Sequence, residues 1–338
     1  MFNFLNREAK AVSVTKSRDV IGCTGKMPLH SEFIKHNLKL REIVALDNWM
    51  LDGVTLMNRR YSENWKEQFN QAPLHNFVFT GAGDEHAVVG VIKPSSDKIG
   101  RSYPFSVFSA TDTKFFKEAQ ALMPLAYHEF LSSVNQVVNR DWTQDCVSDL
   151  TAKIDALEPT LNNKNKRELI DLEMHLLKNV TMKEFWEEIL PGADLKTRSS
   201  FVRTIMCALQ SVARRSPQRV HWGVRFPLPG KAHNLTYVVF WLQLCESVLG
   251  GRTWRSHYFW NMPSIGNSSK LTVFFKQISA SYFSQLIEPN KKDGSVYDVI
   301  SEMEKENHDY SKMQHIIANE SMTMLDALQQ WRQREVVQ

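Results

Sequence analysis

The sequence has few cysteines and no long apolar run. Its four cysteines lie far apart in 338 residues and form no Cys-x-x-Cys pair, so neither a disulfide framework nor a zinc site is predicted. The most apolar long segment, residues 235–249, contains Gln243 and Glu246 and falls short of the roughly 20 residues that span a bilayer. The first eight residues lack the basic flank and apolar core of a signal peptide. We therefore expect a cytoplasmic protein that is not inserted in a membrane.

An excess of charge of one sign is also missing. The chain has 41 Lys and Arg against 37 Asp and Glu, a net charge of +4, which is too balanced to predict a nucleic-acid surface. None of the 11 histidines lies in a His-Glu-x-x-His pattern, so no metal is expected. Gly81-Ala82-Gly83 lacks the third glycine and the following helix of a dinucleotide site and is interpreted as a hairpin turn. The sequence predicts no cofactor.

The length of the chain predicts two domains, because 338 residues exceed one typical domain. The most polar stretch without periodicity is 158–166, and we place a linker there. The predicted domains are therefore residues 1–157 and residues 167–338, the second a helix-rich α+β domain.

Periodicity predicts both helices and strands. Apolar residues at spacings of three and four predict a helix over 43–61 and another over 116–137, which Pro124 kinks or divides. Residues 76–80, 87–92 and 105–109 are typical of strands in an antiparallel meander. Thr181 and Glu184 form a capping box before a helix in the second half. Further strands are predicted at 220–226, 254–260 and 271–278, with helices at 234–249 and 313–331.

A polar loop between the strands at 87–92 and 105–109 is the candidate site. Pro94 and Pro104 restrict the backbone at its two ends, and Gly100 permits a conformation that other residues resist. Asp97 and Arg101, four residues apart, are expected to bridge each other and to bond backbone groups of the loop, a structural role first.

The same loop contains a Ser-x-x-Lys sequence, Ser95 to Lys98. In penicillin-recognising enzymes this pattern supplies a nucleophile and its basic partner, but there it opens a helix and is accompanied by Ser-Asp-Asn and Lys-Thr-Gly. The alternative hypothesis is thus a hydrolase or phosphotransfer accessory enzyme that uses Ser95 or Ser96 with Lys98 or Arg101. A hydrogen-bonded turn is the simpler interpretation.

Four segments of the first half carry recognisable motifs: Gly25-Lys26-Met27-Pro28, Glu32-Phe33-Ile34, Trp49 and the run from Gly90 to Phe105. They resemble the patterns GKxP, GDF, a helix with WxxWL, and GVxxPSVDRVGRxFPL of the TagF (ImpM) family, accessory proteins of bacterial type VI secretion. The resemblance covers residues 21–110. The chain departs from these patterns at Ser31-Glu32, at Leu74 to Phe77, and at Ser96, where the family has Val.

The resemblance implies an α+β fold with a longin-like N-terminal domain, an antiparallel sheet and flanking helices, and no catalytic activity. It also implies a post-translational repressor of secretion that binds the cytosolic forkhead-associated scaffold protein. Partner binding is expected at the motif residues, which are Lys26, Pro28, Phe33, Trp49, Pro94, Ser95, Asp97, Lys98, Gly100, Arg101, Tyr103 and Pro104.

Overall fold

The computed structural model describes residues 19–61, 65–80, 85–116, 119–159, 165–230, 234–250, 257–261, 268–288, 291–303 and 317–331. The predicted turn at 81–83 and most of the predicted linker, residues 160–164, lie outside this part of the chain. The architecture is α+β with a mainly antiparallel sheet, as the sequence predicts.

Nine strands in the described residues form one sheet, in the order β2-β1-β5-β4-β3-β7-β8-β6-β9. Neighbouring strands are antiparallel except for β6 and β9, which are parallel. The strands are β1 (Val20–Gly25), β2 (Ile34–His36), β3 (His75–Thr80), β4 (His86–Lys93), β5 (Phe105–Asp112), β6 (Gly223–Pro227), β7 (His257–Asn261), β8 (Lys270–Phe274) and β9 (Val296–Asp298).

Helices cover both faces of this sheet. They are α1 (Arg41–Tyr61), α2 (Trp65–Gln71), α3 (Met123–Ala126), α4 (His128–Asn139), α5 (Val147–Asp155), α6 (Lys166–Lys178), α7 (Met182–Ile189), α8 (Leu195–Arg215), α9 (Asn234–Leu249), α10 (Ser284–Ile287), α11 (Val299–Met303) and α12 (Met324–Trp331). The capping box predicted at Thr181 begins α7, where Thr181 Oγ1 accepts a hydrogen bond from the Glu184 amide. Among the described helices, none is long and apolar enough to cross a membrane.

The hairpin of β4 and β5 lies at the centre of the first half. Val89 and Val91 pack into the core on the side of α4, whereas Val88 and Ile92 pack on the side of α1. Burial on both faces explains the nearly unbroken apolar run at 87–92. Gly90 is required here, because a Cβ would meet the carbonyl oxygen of Val107 at 2.3 Å. The predicted pair of strands around a loop is confirmed.

The two halves of the chain share this sheet. Strand β3 pairs antiparallel with β7, so that His75 lies opposite Asn261 and Val78 opposite Tyr258. One buried apolar cluster also runs from β1 to α12. The division into residues 1–157 and 167–338 stays a prediction, and separating these parts would break a strand pair and a shared core.

Three predicted elements differ in extent from those observed. Residues 113–115 and 120–122 form short 3-10 turns and residues 123–126 form the four-residue α3. The long helix α4 begins only at His128, because Pro124 favours the start of a helix over its interior. Strand β6 begins at Gly223, three residues after the start of the strand predicted at 220–226. Strand β8 ends at Phe274, before the end of the strand predicted at 271–278. The predicted strand and helix at 254–260 and 313–331 fall partly outside the described residues, which contain β7 and α12.

Candidate functional site

Two loops meet at the end of the β1–β5–β4 strands, and we call residues 26–33 and 94–104 together the double loop. Gly25 ends β1 with φ +127°, and a Cβ there would meet the Pro104 carbonyl oxygen at 2.0 Å. The Lys26 amide donates to that carbonyl at 3.4 Å. The first loop therefore runs directly against the end of the second.

Asp97 is the buried centre of the double loop, with 2% of its surface exposed. Its Oδ2 accepts hydrogen bonds from Lys26 Nζ at 2.9 Å and from Arg101 Nε at 2.6 Å. Its Oδ1 accepts from the backbone amides of Ile99 at 3.1 Å and Arg101 at 2.9 Å. The predicted bridge between Asp97 and Arg101 is confirmed, and both carboxylate oxygens are satisfied.

These contacts fix the charge state of Asp97. Burial alone would raise the pKa of its carboxyl group, but the hydrogen bonds from Lys26 and Arg101 outweigh burial and hold that pKa well below its usual range. Asp97 is consequently an anion at neutral pH, and its charge is balanced within the loop.

The backbone of the second loop is closed in the same region. The Gly100 amide donates to the Asp97 carbonyl at 2.9 Å, and Gly100 adopts φ +85° with open space around its Cα. Ser96 and Ser102 form an antiparallel bridge, and the Tyr103 amide donates to the Ser95 carbonyl at 2.9 Å. The loop is an ordered extension of the β4–β5 hairpin.

The second loop is also bonded to the first. The Lys98 amide donates to the His30 carbonyl at 3.0 Å, and Arg101 Nη2 donates to the Ser31 carbonyl. Arg101 Nη2 also lies 3.7 Å from Glu32 Oε1. Segments 30–32 and 98–101 therefore form one surface.

An aromatic pair closes the base of the double loop. The Phe33 and Tyr103 rings meet edge to face with centroids 4.8 Å apart, and Lys26 Nζ lies 4.9 Å from the centroid of Phe33. Tyr103 is buried, and this burial, followed by the charges of Asp47 and Asp52, raises the pKa of its hydroxyl group. The contacts hold one face of Phe33 while 40% of its surface stays exposed.

The outer rim of the double loop combines apolar and basic groups. Ile99 is 67% exposed, the most exposed of the large apolar side chains in the described residues. Lys98 beside it is exposed, and the Arg101 side chain is half exposed. This rim has the composition of a protein contact, with an apolar centre beside charged groups.

The structure brings together most of the motif residues chosen from sequence, but not Trp49. That side chain is buried on α1, where it stacks on Phe259 at 5.5 Å between ring centroids and donates from Nε1 to the Ser279 carbonyl at 3.0 Å. It joins the two halves of the chain instead of contributing to the rim. Pro28 and Pro94 are half-buried and Pro104 is buried.

The serines of the Ser-x-x-Lys sequence contact no base in the described residues. Ser95 Oγ donates to the thioether sulfur of Met27 at 3.6 Å. Ser96 lies in its backbone bridge with Ser102, and the Lys98 side chain is exposed. Lys26, the buried lysine of the site, is bound to Asp97. Nucleophilic catalysis requires a base within hydrogen-bonding reach of the hydroxyl, and this geometry does not supply it.

A second buried carboxylate under the first loop was missed in the sequence. Asp47 on α1 accepts hydrogen bonds from Thr24 Oγ1 at 2.5 Å and Lys35 Nζ at 2.7 Å, and so joins α1 to β1 and β2. The signal was its position next to Leu46 on the apolar face of the predicted helix, where a carboxylate needs partners. In the part of the chain that the structure describes, no group of three or more His, Cys, Asp or Glu residues is arranged to hold a metal ion.

Comparison with known proteins shows a family to which part of the chain is similar and a solved structure with a similar fold. The TagF N-terminal domain, described as type VI secretion system-associated, matches residues 22–157. The crystal structure of PA0076 from Pseudomonas aeruginosa PAO1 at 2.05 Å resolution is similar with a TM-score of 0.47 and 14% sequence identity, over 81% of this chain and 96% of that chain. Curated proteins give no match. The family match includes the whole double loop and ends at the residue before the predicted linker.

Proposed function

We propose, because residues 22–157 match the TagF N-terminal domain of type VI secretion-associated proteins, that this chain is a non-enzymatic cytoplasmic repressor of secretion. It acts after translation by binding the forkhead-associated scaffold protein of the secretion system. The double loop is the contact surface, and its outer rim of Lys98, Ile99 and Arg101 meets the partner together with the exposed side of Phe33.

This proposal rests on one observation: a buried, fully hydrogen-bonded aspartate lies two residues before an exposed apolar side chain at the tip of the loop. Asp97 is 2% exposed and bonds four groups of the double loop, whereas Ile99, two residues later, is 67% exposed. A loop already held in one conformation loses little entropy on binding. Burying Ile99 against a partner would then contribute most of its transfer free energy to affinity.

The rim also defines the chemistry of the partner surface. Lys98 and Arg101 flank Ile99. Arg101 shares Asp97 with Lys26 and lies 3.7 Å from Glu32, so the three cations Lys26, Lys98 and Arg101 face two carboxylates and one positive charge remains in the double loop. A complementary surface has an apolar depression for Ile99 surrounded by acidic side chains. Such charge complementarity adds mainly to association rate and specificity, and the apolar centre adds to affinity.

A repressor of this kind works by occupancy. A binder shifts an equilibrium according to its affinity and its amount, and it needs no turnover. Repression must therefore increase with the ratio of this protein to its partner, while the amounts of the secretion components stay constant.

The experiment is a titration of secretion against the cellular level of the protein. Wild type and the double variant Ser95→Ala, Ser96→Ala are expressed at graded levels in a strain that lacks the gene, and secretion of the tube protein is measured. We expect equal repression curves, because two hydroxyl groups contribute at most about 1 kcal/mol per hydrogen bond. An enzyme that uses either serine as a nucleophile would lose activity by orders of magnitude. Loss of repression by a folded double variant that still binds the scaffold would overturn the proposal.

A further inference from the structure

Apart from the double loop, the structure contains a cleft where the two halves of the chain join, on the sheet face opposite α1. It encloses about 550 Å³ between α4, the first turn of α9 and the paired strands β3 and β7. Pro124 of α3 closes one end. None of the motif residues expected to bind the partner lines this cleft, so its chemistry is a separate question.

The polar groups of this cleft are almost all carboxamides. They belong to Asn76, Asn135, Gln136, Asn139 and Asn234. Among the described residues that line the cleft, none is Asp, Glu, Lys or Arg, and His128 is the one titratable group. A carboxamide offers two N–H donors and an oxygen acceptor, so this wall can donate and accept in alternation. A charged ligand would lose its hydration here without meeting an opposite charge.

One carboxamide is held in place and left partly unsatisfied. Asn135 Nδ2 donates to Asn76 Oδ1 at 3.3 Å, while Asn135 Oδ1 is buried and accepts no hydrogen bond from the described residues. Exchanging the two atoms of the Asn135 amide alone would place two oxygens against each other, and exchanging them in both Asn135 and Asn76 would only move the unsatisfied position to the Asn135 nitrogen. Buried polar groups in folded proteins are nearly always paired, so this group requires a partner from outside the described chain.

The rest of the lining is aliphatic. Leu74, Leu131, Leu235 and Pro124 form an apolar surface beside the carboxamides. Trp260 is the one Trp, Tyr or Phe among the described lining residues, and it is only 4% exposed with its ring set against Tyr258 at 5.9 Å between centroids. It therefore offers no open ring face on which a sugar could stack, and a described lining without Lys or Arg disfavours nucleic acid.

From this geometry we infer that the cleft binds an extended, uncharged peptide segment, whose main-chain amides pair with the carboxamides and whose apolar side chain packs on the leucines. A peptide backbone alternates one donor and one acceptor per residue, which is the pattern this wall complements. The inference does not depend on the identity of the partner at the double loop.

The test uses the full chain and a phage-displayed random heptapeptide library, followed by titration of the enriched peptides. Asn135→Asp keeps the shape of the side chain but replaces two donors with a negative charge, and Gln136→Glu does the same at an exposed position that cannot unfold the protein. The matched control is Asn48→Asp, exposed on α1 across the sheet. Melting temperatures establish that each variant is folded.

We expect enrichment of peptides without charged residues, with binding that weakens about tenfold or more in Asn135→Asp and in Gln136→Glu, the loss expected from one or two hydrogen bonds. Asn48→Asp should bind like wild type. Three results would overturn the inference: no enrichment above a surface without protein, enriched peptides that are mainly charged, or equal binding by wild type and both cleft variants. Binding of chitotetraose in place of peptides, lost in the same variants, would identify the cleft as a sugar site and would also overturn it.

Discussion

Lys26 and Asp97 lie 71 positions apart in the chain and form a buried ion pair, with Lys26 Nζ at 2.9 Å from Asp97 Oδ2. The pair joins the end of the first strand to the loop between β4 and β5. Its side chains are 9% and essentially 0% exposed. A buried carboxylate that receives four hydrogen bonds positions the whole double loop, and the stability of the fold should depend on it.

Replacing Asp97 tests this structural role. Asp97→Ala leaves the ammonium group of Lys26 buried without its counter-charge, and we expect the free energy of unfolding to fall by about 3 kcal/mol. Urea denaturation measures the loss, and limited proteolysis should cut the variant near residues 98–101. Asp171→Ala, at an exposed position of α6, is the control and should unfold like wild type. An unchanged midpoint and an ordered loop in Asp97→Ala would show that the role is wrong.

The buried His75 should make the free energy of unfolding depend on pH above pH 4. Burial, assisted by the charge of Arg225, lowers the pKa of His75 to about 4. Because the unfolded chain binds a proton near pH 6.5 and the folded chain does not, His75 lowers stability as pH falls from about 6.5 to 4, by about 1.4 kcal/mol per pH unit. Urea unfolding of wild type and His75→Gln between pH 7.5 and pH 4 measures this. A variant with the same slope as wild type would contradict the assignment.

Asp97 should act in a lower pH window. Its folded-state pKa is depressed, so its contribution is complete above the unfolded-state value of about 3.9 and is lost as pH falls below it. The free energy of unfolding of wild type should exceed that of Asp97→Ala by a constant amount from pH 7 to 5, and this difference should shrink below pH 4. A difference that stays constant to pH 3 would count against an ionised Asp97 in the fold.

The sequence alone could predict the local parts of this site but not its distant contacts. The strands around the loop follow from their apolar runs, and the bridge between Asp97 and Arg101 follows from a spacing of four residues. The pairing of Lys26 with Asp97 depends on the β1–β5 register, which no local pattern contains. The pairing of β3 with β7 is set by packing between segments 180 or more positions apart, as the matched residues Val78 and Tyr258 show. The cleft lined by carboxamides was missed because its residues come from five elements, α3, α4, α9, β3 and β7.

The predicted linker can be examined by cleavage. Limited proteolysis should cut within 158–166, where the sequence is polar and without periodicity. The two fragments should nevertheless elute together in gel filtration, because the β3–β7 pair and the contact of Trp49 with Phe259 and Ser279 hold them. Cuts inside both halves but never at 158–166 would contradict the linker, and fragments that separate without denaturant would contradict the shared core.

Isothermal titration of the full chain with the purified forkhead-associated scaffold protein tests the central claim most directly. The key variant is Ile99→Ser at the tip of the double loop, and the matched control is Ile170→Ser, 38% exposed on α6. We predict that wild type and Ile170→Ser bind alike, and that Ile99→Ser binds about tenfold more weakly, because burial of an isoleucine side chain contributes about 1.5 kcal/mol or more. Absence of binding by wild type, or equal affinity of the two isoleucine variants, would contradict the account.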